Sequence, residues 1–126
     1  MTAYEALLAE YDYLAIEEAK LKTHGGLYSS GYIWIQKDQL EKRKACLLAE
    51  EVGHYQTSCG NILNPKTITN QKQEYKARVW AFKKLLPYEK IVSALKYGCR
   101  TIYDLSEYFS LDEEFIKDCL HYYNFI

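Results

Sequence analysis

Apolar positions along the chain change their period several times, and each change marks an element. From Thr2 to about Leu14 they recur at helical spacing. Tyr4, Leu7, Leu8, Tyr11 and Leu14 share one face, with Glu5, Glu10 and Asp12 off it. Between Leu14 and Leu21 the pattern fits a prolonged helix or a strand, and Leu14-Ala15-Ile16 favours a short strand. His24-Gly25-Gly26 reads as a turn. Leu27-Tyr28 and Tyr32-Ile33-Trp34-Ile35, separated by Ser29-Ser30-Gly31, read as a β-hairpin. Its second strand runs straight into the next element, and its edge is expected to accept a peptide backbone by strand addition.

That next element is a helix from Asp38 to Thr57, with Asp38 as the expected N-cap and Glu41 completing a capping box. From Ala45 it is apolar on nearly every side: Ala45, Cys46, Leu47, Leu48, Ala49, Val52 and Gly53. A helix apolar all round is a buried helix. Glu50, Glu51 and His54 are nevertheless set into this run, and buried carboxylates are costly unless paired or bound to a metal. Glu50 and His54 are four residues apart, about 40° around the helix, so both can reach one ion. Glu51 points about 100° away from Glu50 and lies beside such an ion. The arrangement is that of a His-Glu-x-x-His metallopeptidase helix in which the first histidine is a glutamate.

A polar loop from Gln56 to Pro65 precedes a helix expected from Thr69 or Asn70 to Leu86, ended by Pro87. On it Glu74, Ala77, Arg78 and Ala81 share one face, and the two alanines are small enough to let a neighbouring helix come close. If that neighbour is the Asp38–Thr57 helix, Glu74 supplies a third ligand. Otherwise Glu74 pairs with Arg78 at the surface. A further helix spans about Tyr88 to Tyr97 with Gly98 as its stop. Two short helices follow, Thr101 to Phe109 and Asp112 to Tyr123, with Ser110 and Glu113 as an expected capping box. This tail resembles a helix-turn-helix. Residues 101–126, however, hold six acids (Asp104, Glu107, Asp112, Glu113, Glu114, Asp118) against one base, Lys117. A helix entering the major groove needs the opposite charge, which argues against direct nucleic-acid binding.

Composition narrows the class without deciding it. The 126 residues suit one domain with a true core, 48% apolar and 26% charged. The formal net charge of −1 gives no electrostatic case for nucleic acid or anionic membrane. No apolar run reaches a membrane-spanning length, and no signal peptide is expected. Cys46, Cys59, Cys99 and Cys119 are scattered without a CxxC pair, as expected of reduced thiols in a cytoplasmic protein. The thirteen tyrosines suit amphipathic packing and peptide contacts.

Three stretches together resemble the ImmA/IrrE family of metallo-endopeptidases, in particular its small phage and mobile-element members. They are Gly31-Tyr32-Ile33-Trp34-Ile35, Leu48-Ala49-Glu50-Glu51-Val52-Gly53-His54-Tyr55, and the run from Glu74 through Ala77, Trp80 and Ala81 to Leu85-Leu86-Pro87. The resemblance implies an α+β fold: a small zincin-like domain, a short β-hairpin or sheet packed on a metal-site helix, and a helical C-terminal extension. Residues 1–87 would form the peptidase core and 88–126 the acidic helical subdomain, packed as one unit. Carried over by position, Glu51 is the catalytic glutamate, and Glu50, His54 and Glu74 are the metal ligands. Zn²⁺ is the expected ion, and the oxygen-rich donor set keeps Mn²⁺ or Fe²⁺ as candidates. The implied substrate is a protein, a phage or mobile-element transcriptional repressor. The alternative is a catalytically weak or inactive member that binds such a repressor, motivated by Glu50 in place of histidine.

Overall fold

The computed structural model describes residues 1–29, 31–57 and 68–126. The expected polar loop up to Pro65, with Cys59 in it, lies largely outside those residues, and the helix expected from Thr69 or Asn70 begins at Ile68. Three strands and six helices follow in the order α1 (Ala3–Glu10), β1 (Ala15–Ala19), β2 (Gly26–Ser29), β3 (Tyr32–Gln36), α2 (Glu41–Thr57), α3 (Ile68–Leu85), α4 (Tyr88–Tyr97), α5 (Ile102–Phe109) and α6 (Glu113–Tyr122). The fold is α+β, as the sequence pattern implies.

The first helix is fixed at its start by a reciprocal cap. The Glu5 amide donates to Thr2 Oγ1 at 3.2 Å, and the Thr2 amide donates to Glu5 Oε1 at 2.9 Å. The chain then turns at Tyr11 and enters β1, so the short strand is the reading realised there. β1 pairs parallel with β3, and β2 pairs antiparallel with β3, giving the order β1-β3-β2. This corrects one expectation. The Tyr32–Gln36 strand is central, with both edges occupied, and the open edges belong to β1 and β2. The hairpin itself is as expected. The parallel partner of β3 is what a local pattern does not display, because β1 lies outside the hairpin. Alternation along β3 sends Ile33 and Ile35, both fully buried, toward α2, while Tyr32 and Trp34 stack on each other on the other face.

Two helix starts also differ from expectation. The carbonyl of Leu40 receives the amides of Arg43 and Lys44, so the residue that opens α2 is Leu40, two beyond Asp38, and the helix begins at Glu41. Glu41 is occupied elsewhere, accepting a hydrogen bond from Thr2 Oγ1 at 2.6 Å and so tying α2 to the start of α1. At the other end of the chain, Ser110 takes the left-handed conformation (φ 56°, ψ 47°) that closes α5. It therefore cannot cap α6, and Asp112 does so instead, accepting the Phe115 amide at 3.4 Å. The same Asp112 oxygen accepts from Arg43 Nη1 at 3.3 Å, joining α6 to α2. Replacing Asp112 by alanine is expected to cost about 1 kcal/mol, most of it the lost cap, in a denaturant titration.

A single apolar cluster runs through the molecule. It contains Tyr4, Leu7 and Tyr11 of α1, Ile33 and Ile35 of β3, and Leu48 and Val52 of α2. It continues into Phe82, Ile91, Leu105, Ile116 and Cys119 of the later helices. The sequence pattern that made residues 45–53 apolar on all sides has this cause: α2 is covered by α1, by β2 and β3, and above all by α3. Cys46, Cys99 and Cys119 are all buried and free. Several of the aromatic residues gather around the C-terminal end of α2, where Tyr55 meets Tyr13 and Tyr28 edge to face. No helix among the described residues is long and apolar enough to cross a membrane.

Candidate functional site

The site is built where α2 and α3 come closest. A Cβ placed on Gly53 would lie 2.5 Å from the carbonyl oxygen of Ala77, so only a glycine allows this approach. Ala77 and Ala81 are buried in the contact, as their small size suggests. One turn before Ala77, the Glu74 side chain reaches back over α2. Its Oε2 lies 3.2 Å from His54 Nε2. His54 is 7% exposed, whereas the Glu74 side chain is 56% exposed, so the pair is walled by protein on one side and open to solvent on the other.

Glu50 sits one turn before His54 on the same face of α2. Its Oε1 is 3.9 Å from Nε of Arg78, too long for a hydrogen bond but within ion-pair range. The alternative reading of Glu74, a surface pair with Arg78 four residues later on α3, is not the one realised. The structure divides that pair: Glu74 faces His54 and Arg78 faces Glu50. Burial pushes the Glu50 carboxyl above the ordinary carboxylate range, opposed by Arg78 and Arg43 and reinforced by Glu74.

Glu51 faces the sheet instead. A Cβ on Gly26, the first residue of the edge strand β2, would lie 2.9 Å from Glu51 Cγ and 3.0 Å from its Oε2. Gly25 lies in the same way over Leu47, so β2 runs along α2 with its backbone against the Glu51 side chain. Burial, with the charges of Glu74 and Glu50 behind it, raises the Glu51 pKa to about 8. Glu50, Glu51, Glu74 and His54 thus lie near enough for their charges to act on one another, with His54 and Glu74 in direct contact.

The sequence profile of the IrrE N-terminal-like domain, Peptidase_M78, matches residues 11–121. The chain belongs to this family. No curated protein and no solved structure matches the chain. Membership in the IrrE N-terminal-like family supports a metallopeptidase-type function, and the small three-stranded sheet lying on α2 is consistent with a zincin-like domain.

The donor set was tested against the metal ion that this family implies. Two ligands of one tetrahedral zinc, with bonds of about 2.0–2.2 Å, stand about 3.3–3.5 Å apart. The separation of His54 Nε2 and Glu74 Oε2, 3.2 Å, is close to that. The half-buried and mutually repelling carboxylates Glu50 and Glu51 are also what a nearby divalent cation would relieve. In residue type the set suits an ion, although as the side chains stand no three His, Cys, Asp or Glu among the described residues are grouped closely enough to hold one.

Two parts of the site escaped the sequence reading. Gly26 reads as part of a turn, and only the strand's approach to α2 reveals that its missing side chain makes room for Glu51. Arg43, seven residues before Glu50, and Arg78 carry the positive charge around Glu50. Their signal in the sequence was helical spacing alone: Arg43 falls two turns before Glu50 on α2.

Proposed function

We propose that the protein is a metal-dependent endopeptidase that hydrolyses a peptide bond in a specific regulatory protein. The observation that carries this reading is the His54–Glu74 pair, 3.2 Å apart, with the half-buried Glu51 close enough for Glu74 to act on its charge. Glu50, His54 and Glu74 would hold the ion, Zn²⁺ first and Mn²⁺ or Fe²⁺ as alternatives. When bound, the ion would supply Lewis acidity toward the scissile carbonyl.

The remaining work falls to the chain itself. Glu51 would take the proton of the attacking water and pass it to the leaving amine. Its burial and raised pKa support that role, because a general base acts best when its pKa lies near the working pH. The outer edge of β2 is open among the described residues. An extended substrate would add there as a further strand, beside the backbone of Gly26 and hence beside Glu51. The substrate implied by the family resemblance is a phage or mobile-element transcriptional repressor, met in the cytoplasm without direct contact to nucleic acid.

One observation favours a second reading, a repressor-binding protein that has lost catalysis. It is the approach of Arg78 to Glu50, which sets a fixed positive charge against a ligand position. Metal content separates the two. Protein purified without chelator or metal-affinity tag is expected to carry about one ion per chain by elemental analysis, and His54→Ala and Glu74→Ala to carry none. A parent protein that stays metal-free after Zn²⁺ or Mn²⁺ is supplied would sink the peptidase reading.

A further inference from the structure

Glu50 stands beside cations that the chain itself provides. Arg78 Nε on α3 is 3.9 Å from its Oε1. Arg43 on α2 is the next positive charge acting on it. All three line a cavity of about 500 Å³ between α2, α3 and α6, into which the half-exposed Arg78 side chain opens. The two arginines are not equivalent. Arg43 is anchored to Asp112 at 3.3 Å, whereas Glu50 is the only acid paired with Arg78 among the described residues.

A divalent ion on Glu50 needs the carboxylate's lone pairs at about 2 Å. That would set a double positive charge a few ångströms from the guanidinium, and the two repel strongly in a partly desolvated site. Arg78 has room to leave: its side chain borders the open cavity rather than the core. His54 and Glu74 already stand at the separation of two ligands of one ion, so Glu50 is the donor that must change partner.

We propose that Arg78 is the resident counter-ion of Glu50 and competes with the divalent ion for that carboxylate, so that loading the site exchanges one cation for the other. The inference rests on the reading that Glu50, His54 and Glu74 are the ligands. It assigns to Arg78 a role in setting metal affinity, and makes the ion at this site more readily lost than one held by three uncontested ligands.

The test is a competition titration of Zn²⁺ against a chromophoric chelator at fixed pH and ionic strength. The proteins are the parent, Arg78→Gln, Arg78→Lys, Glu50→Gln, His54→Ala and the double variant Arg78→Gln/Glu50→Gln. Thermal unfolding in chelator verifies that each is folded. Arg78→Gln is expected to bind Zn²⁺ at least about tenfold more tightly than the parent, and Arg78→Lys, which keeps the charge, to stay near it. In the Glu50→Gln background the same change is expected to gain less than about threefold, because the contested carboxylate is gone. Equal or weaker binding by Arg78→Gln overturns the proposal. So does a tenfold gain that persists with Glu50→Gln, which would reduce Arg78 to general repulsion. If His54→Ala abolishes binding in those cases, the metal-site reading survives. Absence of Zn²⁺ binding in both the parent and Arg78→Gln brings down both.

Discussion

Replacing Gly53 by alanine is expected to lower stability by about 2–3 kcal/mol and to abolish the metal binding proposed for the site in the same step. The added Cβ would sit 2.5 Å from the carbonyl oxygen of Ala77 and 3.1 Å from its Cα. Both are backbone atoms of a helix, so no side chain can rotate away. The helices must separate, and the separation is felt along a contact that also buries Ala81 and Phe82. Glu74 is carried by the same helix, one turn from the point of contact, and moves with it. The 3.2 Å distance to His54 is therefore lost together with the packing. In a chain of this length the midpoint of thermal unfolding should fall by roughly 5–15 °C. Ala77→Gly serves as the comparison, since it removes a methyl from the same interface without forcing the backbones apart. It should cost about 1–2 kcal/mol through helix propensity and a small void, and leave metal binding within about threefold of the parent. Equal metal loss in both variants would show that the site is sensitive to any weakening of α3, and not to the close approach at Gly53.

That approach was half visible in the sequence. The apolar run around residues 45–53 and the small residues Ala77 and Ala81 are local features, and they pointed to a buried helix with a close neighbour. Which face of the neighbour meets it is a tertiary matter. Spacing on one helix left Glu74 either a ligand facing α2 or the surface partner of Arg78; once α3 lies on α2, Glu74 meets His54 and Arg78 meets Glu50. The capping errors have a similar origin. Asp38 and Ser110 have the right chemistry for an N-cap, yet the bend before Leu40 and the left-handed turn at Ser110 decide where α2 and α6 begin. All three strands were legible, but of their pairings only the hairpin was. The parallel pairing of β1 with β3 joins segments separated by β2, and no local alternation encodes it. Gly26 shows the same limit at the site itself: a glycine chosen for what lies above it looks like a glycine chosen for a turn.

Glu51→Gln is expected to move catalysis and stability in opposite directions. In its proposed role of general base Glu51 would be worth about 10²–10⁴ in rate, so the proposed hydrolysis of a protein substrate should fall by that factor. Stability of the chelator-treated protein should instead rise, by an amount that grows as pH climbs above about 4.5. Burial lifts the Glu51 pKa from its ordinary 4.5 to about 8 in the fold. Between those values the folded chain keeps a proton that the unfolded chain releases. Folding therefore becomes less favourable as pH rises from about 4.5, and the full penalty is present above about 8. Glutamine has no proton to lose and no charge to bury. The variant and parent should match at pH 4.5, and by pH 8.5 the variant should be more stable by about 2–3 kcal/mol in a urea titration. The carboxylate that is suited to take a proton from water is, for the same physical reason, one that the empty site holds at a cost. A bound divalent ion would stabilise the charged form, so adding Zn²⁺ should flatten the parent's pH dependence while barely altering that of the variant. A variant no more stable than the parent at pH 8.5 would mean that Glu51 keeps its solvent contact. The case for it as the buried base would then be lost.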